Sequence, residues 1–186
     1  MPIDTLASDI RNFVNDNNLY DCYYKAQLAD WHILCAAMDS LEDAEEALYS
    51  YESTEDFNYL ILYGMLQAVF LQQEAIIALR SVFGLGRLVM PETSAWNKIR
   101  DLRNTTAAHP NTRDGRSCFI TRAFMSRKKL HRLCWDKKQN KDFREDVPLE
   151  EIYLLYKQEA AKCLDEIRAA QLNHTKNKIC LDLVEP

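Results

Sequence analysis

The sequence predicts an all-α fold: an antiparallel helical bundle with a small β-hairpin insert, forming one domain over residues 1–186. Three observations lead there. Apolar residues make up 47% of the chain, against only 4 Gly and 5 Pro, so backbone breakers are too few for many loops. Long stretches repeat apolar residues at spacings of three and four, the period of a helix face. The stretch at about 111–147 breaks this pattern and is rich in basic residues, which marks it as an insert.

A first helix is expected over Ile3–Asn15, stopped by the Asn/Asp cluster Asn15–Asn18. From Leu19 to Tyr51 there is no Gly or Pro, and Leu28, Trp31, Cys35, Met38, Leu41, Ala44, Leu48 and Tyr51 trace one stripe, so a single long helix is predicted. Its far end carries Glu42, Asp43, Glu45 and Glu46, an acidic cluster that opposes the helix dipole and calls for a basic partner. Ser53 and Thr54 before Glu55 and Asp56 open a third helix, Phe57–Phe83, apolar nearly all round in its first half and hence central. Gly64 within it suggests a close helix approach, and Gly84 and Gly86 end it. A fourth helix starts near Pro91–Ser94 and passes through Trp96, Ile99 and Leu102; Pro110 forces it to finish at about His109. Cys118–Thr121 and Leu130–Trp135 read as a hairpin, bounded by Gly115 and the polar run Asp136–Asp142, with a short basic helix near Phe124–Trp135 as the alternative. Pro148 opens the last helix, with Ile152, Leu155, Tyr156, Cys163, Leu164 and Ile167 on one face.

Met1–Asn18 has no cationic start followed by an apolar run, so it does not read as a signal peptide. The most apolar stretch, Phe57–Leu71, is shorter than the roughly 20 residues a membrane span needs. The six cysteines form no Cys-x-x-Cys pair and several sit at apolar helical positions, so they read as small core hydrophobes in a reducing, cytoplasmic setting. His131, Cys134 and Cys118 hint at a zinc corner, but no fourth ligand stands at metal spacing; no metal and no cofactor are expected.

The net charge of −5 conceals a strong asymmetry. Met1–Ala95 carries 4 basic and 15 acidic residues, whereas Trp96–Arg144 carries 14 basic and 4 acidic, a local balance of +10. A basic block of this density is an electrostatic footprint for phosphate, or a surface that balances the acidic helices.

Inside that block lies Arg103-Asn104-Thr105-Thr106-Ala107-Ala108-His109-Pro110. An arginine, a polar residue and, a few positions later, a histidine at a helix end resemble the motif of the HEPN superfamily of helical-bundle ribonucleases and RNA-binding modules. The resemblance covers most of the bundle, roughly Leu19–His174, with the hairpin region as an insert. It implies a metal-independent endoribonuclease or RNA-binding protein, with a toxin or phage-defence role, an antitoxin protein as a further partner, and a homodimer whose two motifs meet in one cleft.

The chemistry stands without the family name. RNA carries its own nucleophile, the 2′-hydroxyl, so a catalyst needs a base, an acid and positive charge on the phosphate. A histidine of ordinary pKa near 6.5 serves as base or acid, and an arginine fork matches two phosphate oxygens. His109 and Arg103 are assigned these roles, and Asn104 orients either group or the substrate. On an ideal helix, six steps turn through about 600°, which leaves Arg103 and His109 about 120° apart unless the last turn unwinds. One motif offers one histidine where the reaction wants an acid and a base, and the resemblance implies two protomers sharing a cleft, so His109 from each chain is expected to act in turn as base and acid. Arg100, Arg127, Lys128, Lys129 and Arg132 are the candidate RNA-backbone contacts. Trp96 is expected in the core or at a dimer interface, His32 in the core, His174 at the surface, and His131 is left open. The competing reading is a non-catalytic dimeric interaction or nucleotide-binding protein in which the motif is structural. No Gly-rich phosphate loop, Ser-His-Asp pattern or metal set supports a small-molecule enzyme.

Overall fold

A computed structural model of the chain describes residues 1–108 and 116–182; at 107, 108, 116, 123 and 172–182 the backbone alone is described. Among these residues the protein is mostly helical, with one three-stranded antiparallel sheet. The chain groups into two compact units: unit 1 holds residues 1–45, 71–89 and 160–186, and unit 2 holds 46–70 and 90–159.

Unit 1 begins with α1, Ile3–Asp16, which buries Ile3, Leu6, Ala7, Ile10 and Val14 at the predicted helical spacing. The single helix expected from Leu19 to Tyr51 is instead divided. Asn18 takes a left-handed φ of 47°, a wide π-helical turn covers Tyr20–Tyr24, and α2 runs Leu28–Ser53. The gain is aromatic packing. In a continuous helix Tyr20 and Trp31 would stand about 16 Å apart along the axis, whereas across the break their ring centroids lie 5.1 Å apart. The acidic end of α2 finds its basic partner in Arg11 of α1, which pairs with Asp39 at 2.7 Å and also with Glu42. His32, expected in the core, is exposed.

The next helix, α3, spans Tyr59–Val82. Gln72 and Gln73 within it are fully buried, and the helix is long and apolar enough to cross a membrane by length and composition. Half of that apolar window is buried within the protein, as in a core helix. The Gly64 expectation fails: a Cβ there would meet nothing within 4 Å, so the glycine serves no close approach. Gly84 does serve geometry. At φ 70° it lets its N–H reach Ser81 O (3.1 Å) and the Leu85 N–H reach Arg80 O (2.9 Å), a Schellman closure of α3.

Unit 2 contains α4, Ala95–Arg103, capped by Ser94, whose Oγ accepts from the Asn97 N–H at 3.2 Å. The Glu159 carboxylate accepts from the Ala95 and Trp96 N–H groups (3.2 and 2.7 Å), placing an anion at the positive end of the helix. Trp96 is buried and packs on Tyr156 at 5.7 Å. A second π-helical turn, Asn104–Ala108, continues directly from α4.

The sheet has strands β1 (Arg116–Ile120), β2 (Leu130–Asp136) and β3 (Lys141–Val147), in that order. The expected hairpin partners are therefore present, and the basic-helix alternative for Phe124–Trp135 is replaced by β2, apart from a single 3-10 turn at Arg122–Phe124. The polar run Asp136–Asp142, expected to bound the hairpin, covers the end of β2, the turn and the start of a third strand that continues to Val147. Its sequence, Lys141-Asp142-Phe143-Arg144-Glu145-Asp146-Val147, is mostly charged, and only Val147 is fully buried, so the apolar alternation that marks a strand is weak. Asp136 Oδ1 accepts from the Lys138 and Gln139 N–H groups, and Asn140 takes a φ of 52°, which together close the β2–β3 turn.

Cys118 and Cys134 are cross-strand partners with Cα atoms 4.1 Å apart, and they form a disulfide. This corrects the reading of all six cysteines as separate thiols: direct antiparallel opposition brings two residues 16 apart within bonding reach. It also removes the zinc corner, because His131 and Cys134 are three apart on a strand and point to opposite faces. The last helix, α5, spans Leu149–Asp182. Ile152, Tyr156, Cys163, Leu164 and Ile167 are buried as expected, but Leu155 is 45% exposed.

Candidate nucleic-acid site

Arg103 is the last residue of α4, one turn after the buried Ile99 and next to the buried Leu102. It is half-buried and held on three sides. Its Nη2 and Nε donate to Gln67 Oε1 (3.0 and 3.3 Å), and its Nη1 donates to Asn104 Oδ1 (3.0 Å). The guanidinium carbon stands 4.2 Å from the centroid of the Phe70 ring. Gln67 and Phe70 are three apart on α3 and so share a face. Every one of these partners is neutral. Among the described residues Arg103 has no carboxylate, so its orientation is fixed while its charge is left for an anion. Arg100, one turn earlier, places its guanidinium 4.9 Å from the centroid of the same ring.

Asn104 begins the π-helical turn. The sequence geometry required the helix to unwind before His109, with Pro110 as the cause. The departure from α-helix begins five residues earlier, at Asn104 itself. Its geometry is fixed from behind by Thr105, whose Oγ1 donates to Asp101 O at 2.8 Å and accepts from Arg132 Nη1 at 2.7 Å. His109 and Pro110 lie outside the described residues, as does the side chain of His174.

The expected RNA-backbone contacts separate into different roles. Arg132 is 6% exposed and pairs with Glu145 at 2.6 Å, so its guanidinium is not at the surface to meet a phosphate. The reason is strand alternation, which turns Leu130, Arg132, Cys134 and Asp136 to the buried face. Arg127 is also committed: its guanidinium donates to Tyr51 O and Thr54 O at the end of α2 and lies 4.7 Å from the Tyr51 ring. Lys129 pairs with Asp146 at 2.5 Å, and Lys128 is exposed. Asp146 also accepts from His131 Nδ1 at 2.5 Å; the hydrogen bond from Lys129 holds its carboxyl below the usual carboxylate range, with His131 adding to the effect.

Gln67 and Phe70 are the residues that sequence reasoning missed. The available signal was Gln67, a lone polar residue within an apolar run, paired at i, i+3 with the aromatic Phe70. Structural comparison adds nothing to this geometry: no family model, no curated protein and no solved structure matches the chain.

Proposed function

We propose that this protein is a HEPN-like antiparallel bundle acting on RNA, as a metal-independent endoribonuclease or RNA-binding protein of the toxin or phage-defence kind. The observation that carries the reading is Arg103, fixed by Gln67, Asn104 and Phe70 yet unmatched by a carboxylate among the described residues, at the helix end that leads to His109. Such a guanidinium suits the charge that builds on a phosphate during attack by the 2′-hydroxyl. Asn104 both orients Arg103 and opens the turn that breaks the helical phase before His109. Two chains would supply two histidines, one taking the nucleophile's proton and the other protonating the leaving 5′-oxygen.

The second reading is a non-catalytic dimeric or nucleotide-binding protein, with an antitoxin or other protein as partner. It is favoured by the same hydrogen bonds, since an arginine engaged along both edges also suits a purely structural role. RNA cleavage by wild type, His109→Ala and Arg103→Ala in EDTA separates the two. Cleavage by wild type alone, leaving 2′,3′-cyclic phosphate ends, is the result expected of the ribonuclease. An inert wild type, or mutants that cut equally well, overturns catalysis.

A further inference from the structure

Away from Arg103, the sheet turns one face to solvent. Alternation places His131, Leu133 and Trp135 of β2 on that face, opposite the buried row. The register then sets Phe119 and Arg144 on either side of Leu133, and Asp146 beside His131. Phe119 is 62% exposed, and Phe124, from the β1–β2 connection, is 63% exposed with its ring 5.5 Å from that of His131. A cavity of about 420 Å³ opens here, lined by Phe119, Phe124, His131, Leu133, Arg144 and Asp146 among others.

Large exposed aromatic rings lose free energy to water unless something flat covers them. The surrounding charge says what kind of molecule fits. Arg144, Arg122 and Lys128 are exposed and have no ion-pair or hydrogen-bond partner among the described residues. The acid lining the cavity, Asp146, is already paired with Lys129 and hydrogen-bonded by His131. A ligand that combines planar apolar faces with a repeating negative charge matches both features, and single-stranded nucleic acid is such a ligand.

We propose that the open face of the β1-β2-β3 sheet is a base platform for single-stranded RNA, stacking an unpaired base on Phe119 and holding the adjoining phosphate with Arg144. Phe119 and Arg144 stand two strand spacings apart, about 10 Å, with Leu133 as the apolar floor between them. His131 is oriented by Asp146, so it offers its remaining ring nitrogen to a base edge near Phe124. The platform rests on the reading that the protein engages RNA, but it does not depend on cleavage: it would select unpaired stretches and deliver them to Arg103.

The test uses the full chain and a labelled 2′-O-methyl oligonucleotide of about ten nucleotides, which has no free 2′-hydroxyl and so cannot be cut. Binding is followed by anisotropy across a salt series. Phe119→Ala should weaken binding by about tenfold or more, and Phe119→Trp should retain it, because stacking tolerates any aromatic surface. Arg144→Ala should weaken binding and reduce the salt slope by about one phosphate contact. Both sites are exposed, so the variants should keep the wild-type melting profile. Wild-type affinity in Phe119→Ala, or no oligonucleotide binding by wild type at all, overturns the platform. So does a Phe119→Ala/Phe124→Ala variant that turns a dimer into a monomer while RNA affinity stays unchanged, since a second copy of the chain would then be the occupant. Because this oligonucleotide cannot be cut, its binding is read apart from cleavage, which keeps failure of the platform separate from failure of catalysis.

Discussion

Arg132 and Glu145 face each other as register partners on β2 and β3 and close an ion pair of 2.6 Å, with the arginine almost wholly buried. The same guanidinium donates to Thr105 in the turn that follows Arg103, and its Nε is buried without a hydrogen-bond partner among the described residues. Glu145→Gln keeps the shape and removes the charge, leaving a buried cation that only neutral groups solvate. Chemical denaturation should show a loss of about 2–4 kcal/mol. RNA cleavage should also fall, because Arg132, which supports the turn bearing Asn104 through Thr105, is held less firmly. A variant with wild-type stability would show that the pair is idle.

Gln67 and Arg103 should separate positioning from chemistry. Arg103→Ala removes the positive charge and should lower cleavage by about 10²–10³-fold. Gln67→Ala leaves the guanidinium on Phe70 but frees one edge, a loss of about 1 kcal/mol or roughly fivefold. Gln67→Glu should inhibit more strongly than Gln67→Ala, since a carboxylate there would pair with Arg103 and compete with phosphate. Equal effects from the two Gln67 variants would argue against an anion at this position.

Arg127 tests whether its place among the basic residues means RNA contact or helix capping. Its bonds to Tyr51 O and Thr54 O predict that Arg127→Ala costs about 1–3 kcal/mol in a thermal or urea melt. RNA affinity should change little. Loss of affinity with unchanged stability would restore the contact role.

Asp146 provides a pH signature. Its folded pKa is depressed by the hydrogen bond from Lys129, then by His131, so its contribution to stability is present above the ordinary carboxylate value of about 4 and is lost as pH falls through the lower folded value. Wild type should therefore lose more stability than Asp146→Asn between about pH 4 and pH 2, as urea midpoints would show. Parallel acid limbs would remove Asp146 from the account.

Peptide mapping without reductant checks the sheet directly. Cys118 and Cys134 should be recovered as one linked pair, and reduction should lower the melting temperature by the equivalent of about 2–4 kcal/mol. Recovery of both thiols free would return these residues to the original reading.

The helices were legible in the sequence because their signals are local and redundant. Ser94, Gly84 and the stripe Met38, Leu41, Ala44, Leu48 and Tyr51 each announce a start, a stop or a buried face. What escaped depends on distance. The break at Lys25–Gln27 exists so that Tyr20 and Tyr24 can meet Trp31, and β3 exists because β2 offers it a register, not because its own charged residues favour extension. The same holds for the site: Arg103 and Asn104 can be picked out by spacing, but Gln67 and Phe70 become relevant only once α3 has folded. Arg132 shows the converse, a residue whose type suggested surface recognition and whose strand parity turned it inward.

The π-helical turn at Asn104–Ala108 makes this part of the chain intolerant of length change. In an α-helix each residue advances the azimuth by about 100°, so deleting or adding one here would swing everything downstream to another side. Substitutions at Thr106, Ala107 or Ala108 alter what a position is made of; an indel alters where the following histidine aims. Lineages of this protein should therefore accept drift in the letters between Arg103 and His109 far more readily than drift in their number.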